Sequence, residues 1–331
     1  MKRYTVANLV LLCLISAASM ATPTHAATVS LGTAVNYAVL GVGQITYNNG
    51  SGNVTVGSTS EALASTKMTV DGNEGISQGG TVLVQGSSSI VNGTIYEYSS
   101  GQTTISNGVV TGNGGVPVVA PSTLTQNDAD VATALTEIAA LTATQTINGN
   151  VTTATTINGN GGLNVIQING NVITSSGNSL TLSGTANDYF VVRVTGEVNI
   201  QGATGTGLLT GGAVTASHII YDFTGAEGTT TNCDTSSSPG GPFQVCTGHA
   251  TTIDGTILAP NLAVVLDNGT NGEVIVGQNL LLQSGGTLTG TGNTFTGFSS
   301  GPTTPEPASL LLLASGLCGA LGLRKRRSNV S

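Results

Sequence analysis

The sequence predicts a mostly β body of solenoid type with one long helix packed alongside, preceded by a signal helix and followed by a transmembrane helix. Three observations carry this reading. Short Thr- and Val-rich runs bounded by Gly and Asn recur along most of the chain. A single internal segment has a helical period. An apolar stretch stands beside a basic cluster at each terminus of the sequence. Composition agrees: 48 glycines, no tryptophan and only 7% charged against 39% hydrophobic residues argue against simple disorder, which needs high charge and few apolar side chains.

Lys2 and Arg3 open the chain, residues 6–18 are largely apolar, and Thr24-His25-Ala26 offers a small-residue cleavage site. Residues 1–26 therefore read as a secretory signal peptide removed after Ala26. The body, residues 27–301, begins with runs such as Tyr37-Ala38-Val39-Leu40, Val54-Thr55-Val56, Thr81-Val82-Leu83-Val84 and Thr103-Thr104-Ile105. Runs this short, punctuated by turn formers, suit the rungs of a β-helix. A Gly/Pro/Val connector at 112–121 leads into the helix, expected at about 122–142. Val131, Leu135, Ile138 and Leu141 share its apolar face, with Asn127 or Asp128 as the N-cap.

Repetition is clearest after the helix. Ile147-Asn148-Gly149-Asn150, Ile157-Asn158-Gly159-Asn160 and Ile168-Asn169-Gly170-Asn171 follow one another closely. A second unit spans the body: Val91-Asn92-Gly93-Thr94-Ile95, Ile253-Asp254-Gly255-Thr256-Ile257 and Thr270-Asn271-Gly272-Glu273-Val274. Each is a turn feeding a β-branched strand, which is what a solenoid needs if every rung is to bury its apolar residues on its neighbours. Longer strands follow around 180–182, 189–194 and 218–223, and rungs resume at 252.

The chain ends, at 302–331, in Thr304-Pro305-Glu306-Pro307, an uncharged apolar run at 308–323, and Arg324-Lys325-Arg326-Arg327. Sixteen helical residues rise about 24 Å, close to the roughly 30 Å hydrocarbon core. The basic stop favours a cytoplasmic C-terminus. This order of breaker, span and basic stop resembles the PEP-CTERM sorting signal. The resemblance implies an exosortase-type processing enzyme as partner, Pro305, Glu306 and Pro307 as the sorting motif, a membrane-anchored precursor in the inner membrane, and a mature protein at the cell surface or in the extracellular matrix. A plain, uncut membrane anchor is the alternative.

Charge and cysteine usage bound the chemistry. Of eight Lys and Arg only Lys67 and Arg193 lie in the body, against fifteen of the sixteen acidic residues. Such a body cannot use the phosphate-neutralising route to nucleic acid. Cys233 and Cys246 flank a Ser/Pro/Gly-rich loop and, in an oxidising compartment, are expected to pair, a closure worth on the order of 3 kcal/mol. Two thiols thus spaced with His249 nearby are not a zinc site, and the calcium-binding nonapeptides of β-rolls are missing. No metal or cofactor is expected.

The body resembles two related families of surface proteins. Residues 31–40 read LGTAVNYAVL and residues 255–259 GTILA, with Asn271-Gly272 beyond, as in the ice-binding β-solenoids. Gly161-Gly162-Leu163-Asn164-Val165 and Thr185-Ala186-Asn187-Asp188 resemble the choice-of-anchor A group. The resemblance implies an irregular right-handed β-helix with a long helix at its side. It leaves three functions open: surface or matrix adhesion, with exopolysaccharide as a partner; ice binding, for which Thr287-x-Thr289-x-Thr291 and residues 152–156 supply threonines; and a polysaccharide-active enzyme. The last needs facing carboxylates. Asp188, Asp222, Asp254 and Asp267 qualify by type alone, and Asp222, between Tyr221 and Phe223, is the one to test for burial. No coherent catalytic set emerges, so adhesion is the reading carried forward.

Overall fold

The computed structural model describes residues 28–42, 53–56, 69–85, 89–175, 177–202, 205–224, 245–248, 251–260, 264–266, 270–277, 279–282, 287–290 and 295–299. The strands from Tyr37–Gly41 to Thr287–Thr289 form three sheets of nine, ten and eight strands, in which every pairing is parallel. The chain coils, laying one strand on each face per turn: Asn73–Ile76, then Thr81–Gln85, then Ile90–Asn92, then Ile95–Glu97 back on the first. This is the expected β-solenoid.

The stacking order does not follow the sequence. The turn that starts at Tyr37–Gly41 lies inside the stack, and the following turns climb from it to Val118–Val119 at one end. The helix then carries the chain to the other end, where Gln145–Asn148 begins a second stack that works back to the start. The two stacks meet at a seam on all three faces: Val39 against Val274, Val54 against Leu280, and Val70 against Leu288.

The two repeats noted in the sequence are the corners of this coil. Gly72, Gly93, Gly255 and Gly272 turn the chain from the nine-stranded face to the ten-stranded one, whereas Gly149, Gly170 and Gly196 turn it from the ten-stranded face to the eight-stranded one. Ile157-Asn158-Gly159 belongs to a different corner from its two sequence neighbours, so the true rung there is the interval of 21 residues between Asn148 and Asn169. Backbone stacks on backbone at these turns. Gly272 has φ 150°, and a Cβ on it would overlap the Gly255 carbonyl.

Register aligns the interior. One column runs Ile166, Val192, Tyr221, Ile257, Val274, Val39, Glu74, Ile95, each at most 1% exposed. Glu74 stands where its neighbours are aliphatic or aromatic, and neither carboxylate oxygen has a partner.

The helix spans Pro121–Ala140, beside the expected 122–142. Its start differs from expectation. Proline occupies the first turn, no acid lies there, and Asn127 and Asp128 sit in the second turn instead of capping. These polar residues have another task. Asn127 and Asp130 accept hydrogen bonds from the Thr33 hydroxyl at 2.7 and 2.6 Å, Asp130 also takes the Thr33 amide at 2.7 Å, Asp128 takes the Ser77 hydroxyl at 2.6 Å, and Glu137 the Ser30 amide at 3.1 Å. Asp130 and Glu137 thus clamp residues 30–33 to the helix while Asp128 ties it to Ser77, and Gly32, at φ 55°, leaves room for Asp130. Beneath, Leu124, Val131, Ala134 and Ile138 bury against Leu40, Val191, Ile220, Leu258 and Ile275 of the ten-stranded face. Leu135 and Leu141, expected on the same stripe, are only partly buried.

Burial pushes the Glu74 carboxyl up from 4.5 to about 8. A carboxyl protonated in the fold and ionised in the unfolded chain favours folding at low pH, and that contribution is lost as pH rises from about 4.5 through 8. Glu74→Gln is therefore expected to raise the melting temperature at pH 8 and to leave it unchanged near pH 4. Thermal denaturation across that range checks both limits.

Candidate functional site: the open nine-stranded face

The three faces differ in what covers them. The helix and residues 29–36, which lead into the Tyr37–Gly41 strand, lie over the ten-stranded face. On the eight-stranded face the outward column is mixed: Cys246 and Val265, aligned in register, are 2% and 0% exposed, whereas Ile173, Asn199, Leu83 and Thr104 are half-exposed or exposed. The nine-stranded face keeps its outward side chains half-exposed or exposed, Gly207 apart, over the described strands. At about 4.8 Å per strand it extends about 38 Å along the stack.

Two outward ranks line it. One carries Asp254, Asn271, Thr289, Asp71 and Asn92 across the seam, with Leu209, Thr181 and Thr156 beyond Asp254. The other aligns Thr287, Thr69 and Ile90, and carries Thr252 further along. Within the first rank Asn271 donates to Asp254 at 2.7 Å and Asn92 to Asp71 at 2.6 Å, while the Thr210 amide and hydroxyl both donate to Asp254 at 3.1 Å. Each Asp or Asn precedes a corner glycine. These residues read in the sequence as turn formers, and the turn is why they are there. What the sequence did not reveal is that stacked corners turn single turn residues into a continuous rank. Thr287 and Thr289 do face outward here, and Thr291 lies outside the described residues.

The carboxylates that qualified by type do not meet. Asp188 sits at a corner, accepting from Gly161 N (2.7 Å), Asn164 Nδ2 (3.0 Å), Thr185 N (2.8 Å) and Thr185 Oγ1 (2.8 Å). Burial pushes its carboxyl up, but those hydrogen bonds outweigh burial and hold it below the ordinary value. The Thr185–Asp188 motif is thereby a turn lock. Asp254 is on the open face. Asp222 is on the ten-stranded face and only 3% exposed, so it is a buried residue and not one that faces solvent from a strand. Burial pushes Asp222 up to about 7, opposed by Arg193, its cross-strand neighbour. Arg193 reaches the end of the helix, its Nη1 donating to the Ile138 carbonyl at 3.4 Å. This caps the helix where its dipole is negative. His218 stacks on Tyr189 at 4.2 Å. Among the described residues no three His, Cys, Asp or Glu side chains could jointly hold a metal ion, and no helix is long and apolar enough to cross a membrane. Ala26, Cys233, His249, Asp267, Pro305, Glu306, Pro307, the 308–323 segment and Arg324, Lys325, Arg326 and Arg327 lie outside the described residues.

Among the described residues, fold and face together define a parallel β-solenoid with one sheet that presents mainly hydroxyl, amide and carboxylate side chains. Residues 24–289 match the family described as "Putative Ice-binding-like adhesive domain", and the chain belongs to it. Residues 303–327 match the PEP-CTERM protein-sorting motif, which marks an exported, membrane-anchored precursor sorted to the cell surface or extracellular matrix. Similar solved structures include an ice-binding protein from an Antarctic biological consortium (17% identity, 81% of this chain and 93% of that one, TM-score 0.48). Others are a glycosylated ice-binding protein from an Arctic yeast (15%, 84% and 98%, 0.48) and an ice-binding domain from Shewanella frigidimarina (16%, 80% and 98%, 0.46). No curated protein matches the chain.

Because four donors converge on one buried carboxylate, Asp188→Ala is expected to cost about 2 kcal/mol or more. The loss should appear as a lower denaturation midpoint at pH 7 and shrink below the carboxylate range, where the native charge is lost as well.

Proposed function

We propose that the protein is a non-catalytic structural adhesin of the cell surface or extracellular matrix, and that its nine-stranded face binds exopolysaccharide. The observation that carries this is the face itself: uncovered, regular at the strand spacing, and lined by Thr, Asn and Asp side chains able to donate to and accept from sugar hydroxyls. Its two carboxylates on that rank, Asp71 and Asp254, are engaged by neighbouring amides, and Asp188 and Asp222 stand elsewhere, which speaks against a facing catalytic pair. Thr69→Tyr combined with Thr287→Tyr should weaken binding of the exported protein to matrix polysaccharide from its own cells by about tenfold or more, with the melting temperature unchanged. Release of reducing ends that Asp222→Asn or Asp254→Asn abolishes would make the protein an enzyme instead. A second reading, ice binding, is favoured by Thr69 and Thr287 standing side by side on neighbouring strands of the open face. Thermal hysteresis lost in the same double variant would select it.

Sorting follows the same logic. We assign residues 1–26 to a signal peptide cut after Ala26, residues 27–301 to the body, and residues 302–331 to a segment recognised by an exosortase-type enzyme through Pro305, Glu306 and Pro307. Its apolar run, 308–323, holds the precursor in the membrane, and Arg324, Lys325, Arg326 and Arg327 stop it at the cytoplasmic side. Cys233 is assigned to a disulfide with Cys246. Replacing Pro305, Glu306 and Pro307 by alanine should leave the protein membrane-bound at full mass, whereas the wild type loses its C-terminal segment. Fractionation with mass spectrometry reads the difference, and a wild type that stays uncut would reduce the segment to a plain anchor.

A further inference from the structure

The two ends of the stack are finished differently. At the far end, where the second stack begins, the apolar inward-facing side chains are largely covered, with Val151 4%, Ile157 1% and Val172 0% exposed and Ile147 partly open, and the open inward positions are the polar Gln145 and Thr155. At the near end the last turn is formed by Thr103–Ser106, Val109–Val110 and Val118–Val119, each terminal in its sheet. Here Ile105 continues the inward column of Val84, Val110 that of Val91, and Val119 that of Glu97 and Ile76. Val84, Val91 and Ile76 are 0% exposed, but Ile105 is 38% and Val119 50% exposed because no further rung lies over them. Val109 and Val116, on the same turn, are 48% and 61% exposed. Four of the five large exposed hydrophobic residues among those described therefore gather at one end of one core.

The charge pattern sets this end apart again. Residues 98–127 contain no Asp, Glu, Lys or Arg, although the body holds two basic against fifteen acidic residues. Two copies of so acidic a body repel each other over most of their surface, and this uncharged end is where they can approach. Lysine, the usual guard on an exposed sheet edge, is missing from it.

We propose that the near end of the solenoid is a dimer interface that takes the near end of a second copy. The chemistry is already in use inside the molecule, since the seam covers the end of one stack with the end of another, strand edge to strand edge. Between copies, a two-fold axis across the stack brings the last turns together, their edge strands antiparallel, and buries Ile105, Val109, Val116 and Val119 of both. The contact is isologous and stops at two, because each far end is closed and polar. Val109, which continues the Thr287, Thr69 and Ile90 rank, brings the contact to the edge of the nine-stranded face, and the ranks from Thr69 to Thr252 stay free in the dimer.

The test uses the full chain in mild detergent, followed by sedimentation equilibrium over a concentration series. The wild type should reach twice the monomer mass. Val109→Lys with Val119→Lys should weaken the dimer by about a hundredfold or more, since like charges would meet at its centre. Ile173→Lys, at the far end, should change nothing. Circular dichroism and melting temperature report that each variant folds, and Val116→Lys, at the most exposed position, serves if the double variant does not. Hydrogen exchange at residues 103–119 should slow as the dimer forms. A wild type that is monomeric throughout, or a dimer that survives the near-end lysines, overturns the proposal.

Discussion

Backbone stacked on backbone at the corners is the constraint on which the rest of this molecule depends. Where Gly255 lies against Gly272, and Gly72 against Gly93, successive turns approach with no side chain between them, and the strands on either side are locked into one register. Register is what aligns interior residues into columns, so that each rung buries its apolar side chains on those above and below rather than on a partner sheet. The same alignment acts on the outside. A residue chosen because it tolerates a turn, such as Asp71 or Asn92, becomes one position in a rank that runs the length of a face.

The acidic residues divide according to this geometry. Of those on the helix, Asp130 and Glu137 accept hydrogen bonds from Thr33 and Ser30 of the first body segment, and Asp128 accepts one from Ser77 beyond the Asn73–Ile76 strand, so that together they fasten the helix in place. Asp188 and Asp254 lock corners. Glu74 and Glu273, both fully buried, instead sit with their carboxyl oxygens unpartnered, and burial raises both. A carboxyl of this kind contributes nothing to cohesion that an aliphatic side chain would not supply better, and we have no packing reason for its presence. The body's large negative charge is therefore not one feature but several, with structural, neutral and solvent-facing members.

Much of this was legible in the sequence, and what was not has a physical reason. Short β-branched runs between Gly and Asn gave the solenoid, because period and turn chemistry are local. The helix was legible from Val131 and Ile138, yet its start was misplaced: Asn127 and Asp128 have the chemistry of a cap, and only the fold shows that Thr33 and Ser77 are there to be bound instead. The LGTAVNYAVL segment was recognisable, but its reason is tertiary, with Gly32 admitting Asp130 and Leu40 lying under the helix. The ranks on the open face were hidden because their members are far apart in sequence. Asp254 and Asn271 of one stack and Asp71 and Asn92 of the other align only through the seam. Strand alternation alone puts Asp222 on the outward side, and its burial is tertiary: Tyr221 and Phe223 point into the core and leave Asp222 on the side the helix covers.

The inverted stacking order has a consequence for how such a body is made. Strand 37–41 finds one of its two neighbours at once, at 73–76, but the other, at 274–276, is among the last parts of the body to be synthesised and exported. The early turns must therefore wait with a bare parallel edge while the second stack assembles from its far end inwards. Closure of so large a loop is slow, and an exposed edge in the meantime is open to proteases and to wrong partners. A chain interrupted before its final rungs would lack the strand pairing at the seam, leaving its two stacks held together only through the helix that packs on Leu40 of one and on Val191 and Ile220 of the other.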